Sequence, residues 1–183
     1  MRQGPRGNPA ALRIRTTGAL LLVAHLALVA WITLRPLDVP WVPTPNFHPF
    51  AGIKADLALP PRDAARTIGA GLALLAPLGV LLPLAGGKTA VSPLASLLRT
   101  VTAGALLSLG IELLQTGVPG QVVDVDSVFL NTLGVALAHI AVVPAFRARM
   151  RRRTETARRA AALRREESTL TPTPTIPRVG IAP

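Results

Sequence analysis

The apolar positions of the chain gather into four nearly unbroken runs, Thr17–Leu34, Thr67–Ala85, Leu97–Gln115 and Val128–Phe146. Each run is about 18–19 residues long, and a helix of that length rises roughly 27–29 Å, close to the roughly 30 Å hydrocarbon core of a bilayer. A water-soluble bundle needs helices with a polar face, and no amphipathic helix stands between these runs to solvate them. The pattern therefore predicts an all-α polytopic membrane protein with four transmembrane helices. A mean hydropathy of +0.45 and a charged fraction of 16% agree with it.

Charge then sets the expected orientation. Arg2, Arg6, Arg13 and Arg15 precede the first run, Lys88 lies between the second and third with Arg99 at the edge of the third, and Arg147, Arg149, Arg151, Arg152 and Arg153 follow the fourth. With four spans these segments share one side, and the excess of basic residues assigns that side to the cytoplasm, with both termini inside. The loop Gln115–Ser127 holds neither Lys nor Arg, whereas the loop 35–66 mixes Arg35, Lys54, Arg62 and Arg66 with Asp38, Asp56 and Asp63. The formal charge of +11 does not signal nucleic acid, because the basic residues border the spans and no aromatic residues are interleaved with them. Membrane phospholipids are the expected partner of that charge. The basic start and long apolar run, with only a poor cleavage site at Ala27–Ala30, point to a retained anchor rather than a cleaved leader. The chain has no cysteine, so neither disulfides nor thiolate chemistry enter.

The expected organisation is a disordered basic N-terminus over 1–16, a four-helix membrane domain over 17–146, a basic cytoplasmic helix over 147–167 rich in Ala, Arg and Glu, and a disordered Thr/Pro tail over 168–183. The segment Arg35–Phe50 carries too many prolines for regular structure and is expected along the outer membrane surface, with Trp31 and Trp41 as interfacial anchors. Leu57–Arg66 reads as a lead-in to the second helix, in which Pro77 and Pro83 require neighbours to satisfy the freed backbone. Ala85–Lys88 reads as a turn and lacks the pattern of a phosphate-binding loop.

Polar groups are costly in hydrocarbon, which directs attention to the ends of the last two spans. Ser108, Glu112 and Gln115 recur at four and three residues and share one helical face, as do Asn131, Gly134 and Ala138 in the next span; the two faces are expected to meet. Asp124 and Asp126 stand before the fourth span, where free N–H groups favour negative charge and where Asp126 or Ser127 is placed to cap the helix.

Two readings follow. In one, Glu112, Gln115 and Asn131 form an interhelical network that fixes packing. In the other, Glu112, Gln115, Gln121, Asp124, Asp126 and Asn131 bound an outward polar pocket whose carboxylates hold a cationic group, ligate a divalent ion through oxygen, or act as general acid and base. No cofactor is predicted. His25, His48 and His139 are too dispersed for a catalytic zinc site, whereas magnesium or calcium suits the carboxylates. No serine nucleophile motif is present.

At these positions the chain resembles the VanZ-like family of bacterial membrane proteins, named for a protein associated with resistance to the glycopeptide teicoplanin. The resemblance rests on Thr33-Leu34-Arg35-Pro36, on Asn46-Phe47-His48-Pro49-Phe50, similar to the family's Asn-x-x-Pro-Phe motif, and on Glu112-x-x-Gln115 with Asn131-x-x-Gly134. It spans roughly Thr17–Val143. Many members carry Arg where this chain has Gln121 and a further acidic residue where it has Ser127; if that Arg neutralises or orients the acidic cluster in relatives, its loss leaves Asp124 and Asp126 more exposed to mutual repulsion or more dependent on an external cation.

The resemblance implies a cell-envelope role. The expected function is binding or modifying a lipid-linked cell-wall component or glycopeptide target through the external acidic site; the alternative is a non-enzymatic scaffold or partner-binding protein whose polar residues fix helix packing. Alternating-access transport by four spans would require a homo-oligomer.

Overall fold

The computed structural model describes residues 9–42, 44–86 and 92–170, and these are mostly helical, the longest connection being the segment 34–50 between the first two helices. The elements are α1 (Pro9–Thr33), α2 (Ala51–Leu57), α3 (Pro61–Leu75), α4 (Leu78–Gly86), α5 (Pro93–Gln115) and α6 (Val125–Leu170). Four stretches are long and apolar enough to cross a membrane: Leu12–Thr33, Pro61–Gly86, Pro93–Gln115 and Val125–Glu166. The chain is thus an all-helical membrane protein of four candidate spans. It divides into two units, Met1–Ala145 and Phe146–Pro183.

The first helix begins at Pro9, eight residues ahead of the apolar run, because proline suits the first helical turn and Ala10, Ala11 and Leu12 are strong helix formers. Helix also extends to Leu170, beyond the expected start of the tail. The expectations for residues 1–8, for Gly87 and Lys88 of the turn, and for 171–183 lie outside the described residues. Pro60 and Pro61 start α3 as expected, but the second span is not one continuous helix: Pro77, which has no N–H to donate, separates α3 from α4. The short helix α2, by contrast, has too few residues for its periodicity to be legible.

Burial is inverted relative to a soluble bundle. The buried positions of α5 are Ser96, Thr100, Gly104, Ser108, Ile111 and Glu112, whereas Leu94, Leu98, Leu106, Leu109, Leu113 and Leu114 are exposed. In water that arrangement would expose an unbroken apolar surface; in a bilayer the leucines meet lipid, and small or polar residues let helices approach and bond. The apolar centre is correspondingly small, formed by Val29, Leu75, Leu78, Ile111 and Val135.

Two devices permit this close packing. Pro83 lies inside α4, so the carbonyl four residues back, on Gly79, loses its helical donor. The ring of buried His139 on α6 supplies a replacement, its Nδ1 lying 3.0 Å from that oxygen; a carbonyl only accepts, so Nδ1 carries the proton. The second device is glycine at the crossings. A Cβ on Gly134 would run into the backbone of Leu72 in α3, and one on Gly79 would meet the backbone of α6 at Val135 and His139.

Gly134→Ala is therefore expected to destabilise the bundle by about 1–3 kcal/mol through overpacking, whereas Gly110→Ala, whose added methyl meets nothing within 4 Å, should be neutral or slightly stabilising. Thermal unfolding of both variants in the same detergent checks the contrast; equal melting temperatures would refute the close approach.

Candidate functional site

After α1 the chain lies against the α5–α6 connection. The Leu37 N–H donates to the carbonyl of Pro119 at 3.0 Å. Opposite it, Gly120 has φ +80°, and any Cβ there would collide with Leu37; glycine alone satisfies both demands. Further along, Asn46 pairs with Asp124 in an isolated parallel bridge. The Asn46 N–H donates to Val123 at 3.0 Å, and the Val125 N–H donates to Asn46 at 3.1 Å.

That bridge brings the carboxylates to the loop. Asp126 is 2% exposed, and its side chain accepts from the backbone N–H groups of Phe50 at 2.5 Å, Gly52 at 2.7 Å and Ile53 at 3.2 Å, and from Asn46 Nδ2 at 3.2 Å. These backbone groups form the first turn of α2, which no side chain of its own caps. Asp126 thus caps a helix other than its own, a negative charge on the donors that α2 leaves unsatisfied. The cap of α6 is supplied by Asp124, two residues before the nearer of the positions that the sequence pattern indicates. Asp124 accepts the Asp126 N–H at 3.0 Å and binds the Ser127 hydroxyl at 3.3 Å and Asn46 Nδ2 at 2.8 Å. Neither Asp126 nor Ser127 is in register to cap α6, because the helix begins at Val125. Glu112, buried at the end of α5, accepts the Asp124 N–H at 2.8 Å.

The amides serve a second set of orphan groups. Gln115 Nε2 donates to the Thr33 carbonyl at the end of α1 at 3.1 Å and lies 3.5 Å from Gln121 Oε1. Gln121 Nε2 in turn donates to the Arg35 carbonyl at 3.2 Å. Deeper in the bundle Asn131 Nδ2 donates to Ser108 Oγ at 2.9 Å, so the polar faces of α5 and α6 do meet.

Phe50 adopts the left-handed region, φ 65° and ψ 4°, which a bulky residue occupies only when its surroundings compel it. Two contacts do so: its N–H is held by Asp126, and its ring stacks on Phe129 with centroids 5.3 Å apart. His48 donates its backbone N–H to Asn46 Oδ1 at 3.2 Å while its ring, like Pro49, Phe47 and Trp41, is exposed.

Of the residues singled out from sequence, Asn46, Glu112, Asp124 and Asp126 form one connected network with the backbone of Phe50. Gln115 and Gln121 form a separate link to the end of α1, Asn131 lies with Ser108, and Gly134 belongs to the crossing with α3. Sequence reasoning missed Gly52, Ile53 and Phe129; the first two contribute only backbone N–H groups, and Phe129 looks like any apolar residue of the span. Among the described residues no group of three or more His, Asp or Glu is arranged to hold a metal ion. The acceptor capacity of Asp124 and Asp126 is instead directed to donors of the chain itself.

A family model described as VanZ/LLP1 matches residues 22–147. The chain belongs to that family, and the match takes in every residue of the network and of the amide link. Comparison with curated proteins and with solved structures finds no match.

Asp126→Asn would set an amide N–H2 among four donors. It is expected to cost about 1.5–3 kcal/mol, as for loss of a charged hydrogen bond, and to open the peptide after Lys54 to trypsin. Glu112→Gln keeps an acceptor for the Asp124 N–H and should cost less than half as much. Thermal unfolding and limited trypsinolysis in detergent rank the two; the reverse order would refute the assignment of Asp126 as the cap of α2.

Proposed function

We propose that this member of the VanZ/LLP1 family acts at the outer face of the cytoplasmic membrane as a binding protein for a lipid-linked cell-wall component or a glycopeptide target. The observation that carries the reading is the fourfold hydrogen bonding of Asp126. An acid or base in turnover must exchange protons with substrate, whereas this carboxylate is committed to three backbone N–H groups and the Asn46 amide. Its work is to hold the loop 44–57 in one conformation, which presents Phe47 and His48 at the surface. A fixed aromatic and imidazole edge lowers the ordering cost of binding an amphiphile whose chain lies in lipid and whose head lies in water. The arginines bordering the spans support an orientation with the α5–α6 end outside and both termini inside.

The second reading is a scaffold whose polar groups only secure packing. Gln115 on the Thr33 carbonyl and Asn131 on Ser108 favour it, since both bonds join helices and neither side chain is exposed.

The discriminating experiment profiles lipids and wall precursors in a strain lacking the gene, complemented with wild type or with His48→Ala at matched membrane abundance. The binding reading expects a specific precursor pool to change, with rescue by wild type and not by His48→Ala. Equal rescue, or no change in any pool, would leave the scaffold. Orientation has its own check in this cysteine-free chain: Thr44→Cys should react with an impermeant maleimide on intact cells, and Ala160→Cys only after permeabilisation. Labelling in the opposite order would reverse the assigned topology.

A further inference from the structure

The unit that begins at Phe146 carries a concentration of charge that the site above does not use. From Arg147 to Glu167 there are nine arginines and three glutamates, a formal charge of +6, and this stretch is helical. At about 100° per residue, Arg147, Arg151, Arg158 and Arg165 fall within roughly 40° of one line along some 27 Å of helix. Arg152 and Arg159, seven residues apart, begin a second line on a neighbouring face. Arg149, Arg153 and Arg164 occupy the remaining side, so the charge surrounds the helix instead of opposing an apolar face. Arg151, Arg152, Arg153, Arg158, Arg159 and Arg164 are all exposed.

Large apolar residues are few: Phe146, Met150 and Leu163, the last 65% exposed. An amphipathic helix that inserts into the interface carries a continuous apolar stripe, and that is missing here. What remains is a positively charged rod whose arginines suit phosphate oxygens with paired N–H groups. The rod follows the fourth apolar run without an intervening linker, so headgroup phosphates are the nearest dense anionic surface to it. Duplex nucleic acid is the competing polyanion. It has no comparable claim, since the unit lacks a recognisable reading motif and residues 147–183 contain no aromatic side chain to stack on a base.

We propose that this helix binds the anionic phospholipid headgroups of the membrane that the chain spans, through charge and without inserting. Its strength then depends on the fraction of anionic lipid and falls with salt, as the Debye length shortens from over about 10 Å at low salt to about 3 Å near 1 M.

The test uses the full chain with Ala160→Cys carrying a fluorophore, reconstituted in nanodiscs containing a headgroup-linked quencher. One set is phosphatidylcholine alone; the other includes phosphatidylglycerol. Quenching should be greater in the anionic discs, fall several-fold at high salt, and fall at least about tenfold in association constant when the six exposed arginines are replaced together by glutamine. Wild-type salt dependence supplies a readout that survives poor yield of the sixfold variant. Equal quenching in neutral and anionic discs, or indifference to salt, would overturn the proposal. So would release of the fluorophore by duplex RNA at concentrations that leave the lipid composition unchanged, which would identify a nucleic acid as the partner.

Discussion

A carboxylate that accepts three backbone N–H groups from another helix is the fastening on which this end of the molecule depends. Without Asp126, the first turn of α2 would hold unsatisfied donors beside apolar surface, and water is the only other partner available to them. The same constraint recurs wherever the backbone is interrupted. Asp124 serves the start of α6, Gln115 the end of α1, Gln121 the carbonyl of Arg35, and His139 the carbonyl that Pro83 strands. Each of these side chains offsets the cost of a particular break in the helical ladder, whereas Asn131 bonds the Ser108 hydroxyl and so joins α6 to α5. These bonds carry more of the specificity of packing than apolar contact does, because lipid solvates leucine as well as a neighbouring helix would.

Fixing the loop has a functional consequence. Phe50 is held in an unfavourable conformation by its N–H bond and by Phe129, and the residues just ahead of it, Phe47 and His48, are set at the surface. The network is therefore an interior support for an exposed edge. In the proposed function, recognition falls to that edge and the carboxylates act through it. This division also explains why acidic residues gather without a metal-holding arrangement among the described residues: Asp124 and Asp126 are shared out among donors from three separate stretches of chain.

Much of the architecture was legible in the sequence because it follows from solvent. Apolar run length marks the spans, and the four-and-three spacing of Ser108, Glu112 and Gln115 correctly places one face, on which Ser108 finds Asn131. Pro77, by contrast, is expected to be accommodated within one helix, whereas it divides the span into α3 and α4. What the pattern does not carry is which donor each acceptor serves. The partners of Asp126 lie 73 to 80 residues away and are mostly backbone N–H groups, which have no residue identity. Periodicity also misjudges the α6 cap by two residues, because Asp124, Asp126 and Ser127 are all good capping residues and only the helix start at Val125 separates them. The role of Gly134 was half visible: a small residue at a crossing is readable, but its partner, the α3 backbone at Leu72, is not.

Amide hydrogen exchange of Gly52 and Ile53 in lipid nanodiscs bears most directly on this account. Both amides lie in the first turn of a seven-residue helix, where no intrahelical acceptor exists and exchange is ordinarily fast. If Asp126 holds them, they should be strongly protected, comparably to amides inside α5. Exchange at the rate of an unstructured peptide would mean that the carboxylate is not committed to the loop, and would return it to the pool of groups available for chemistry.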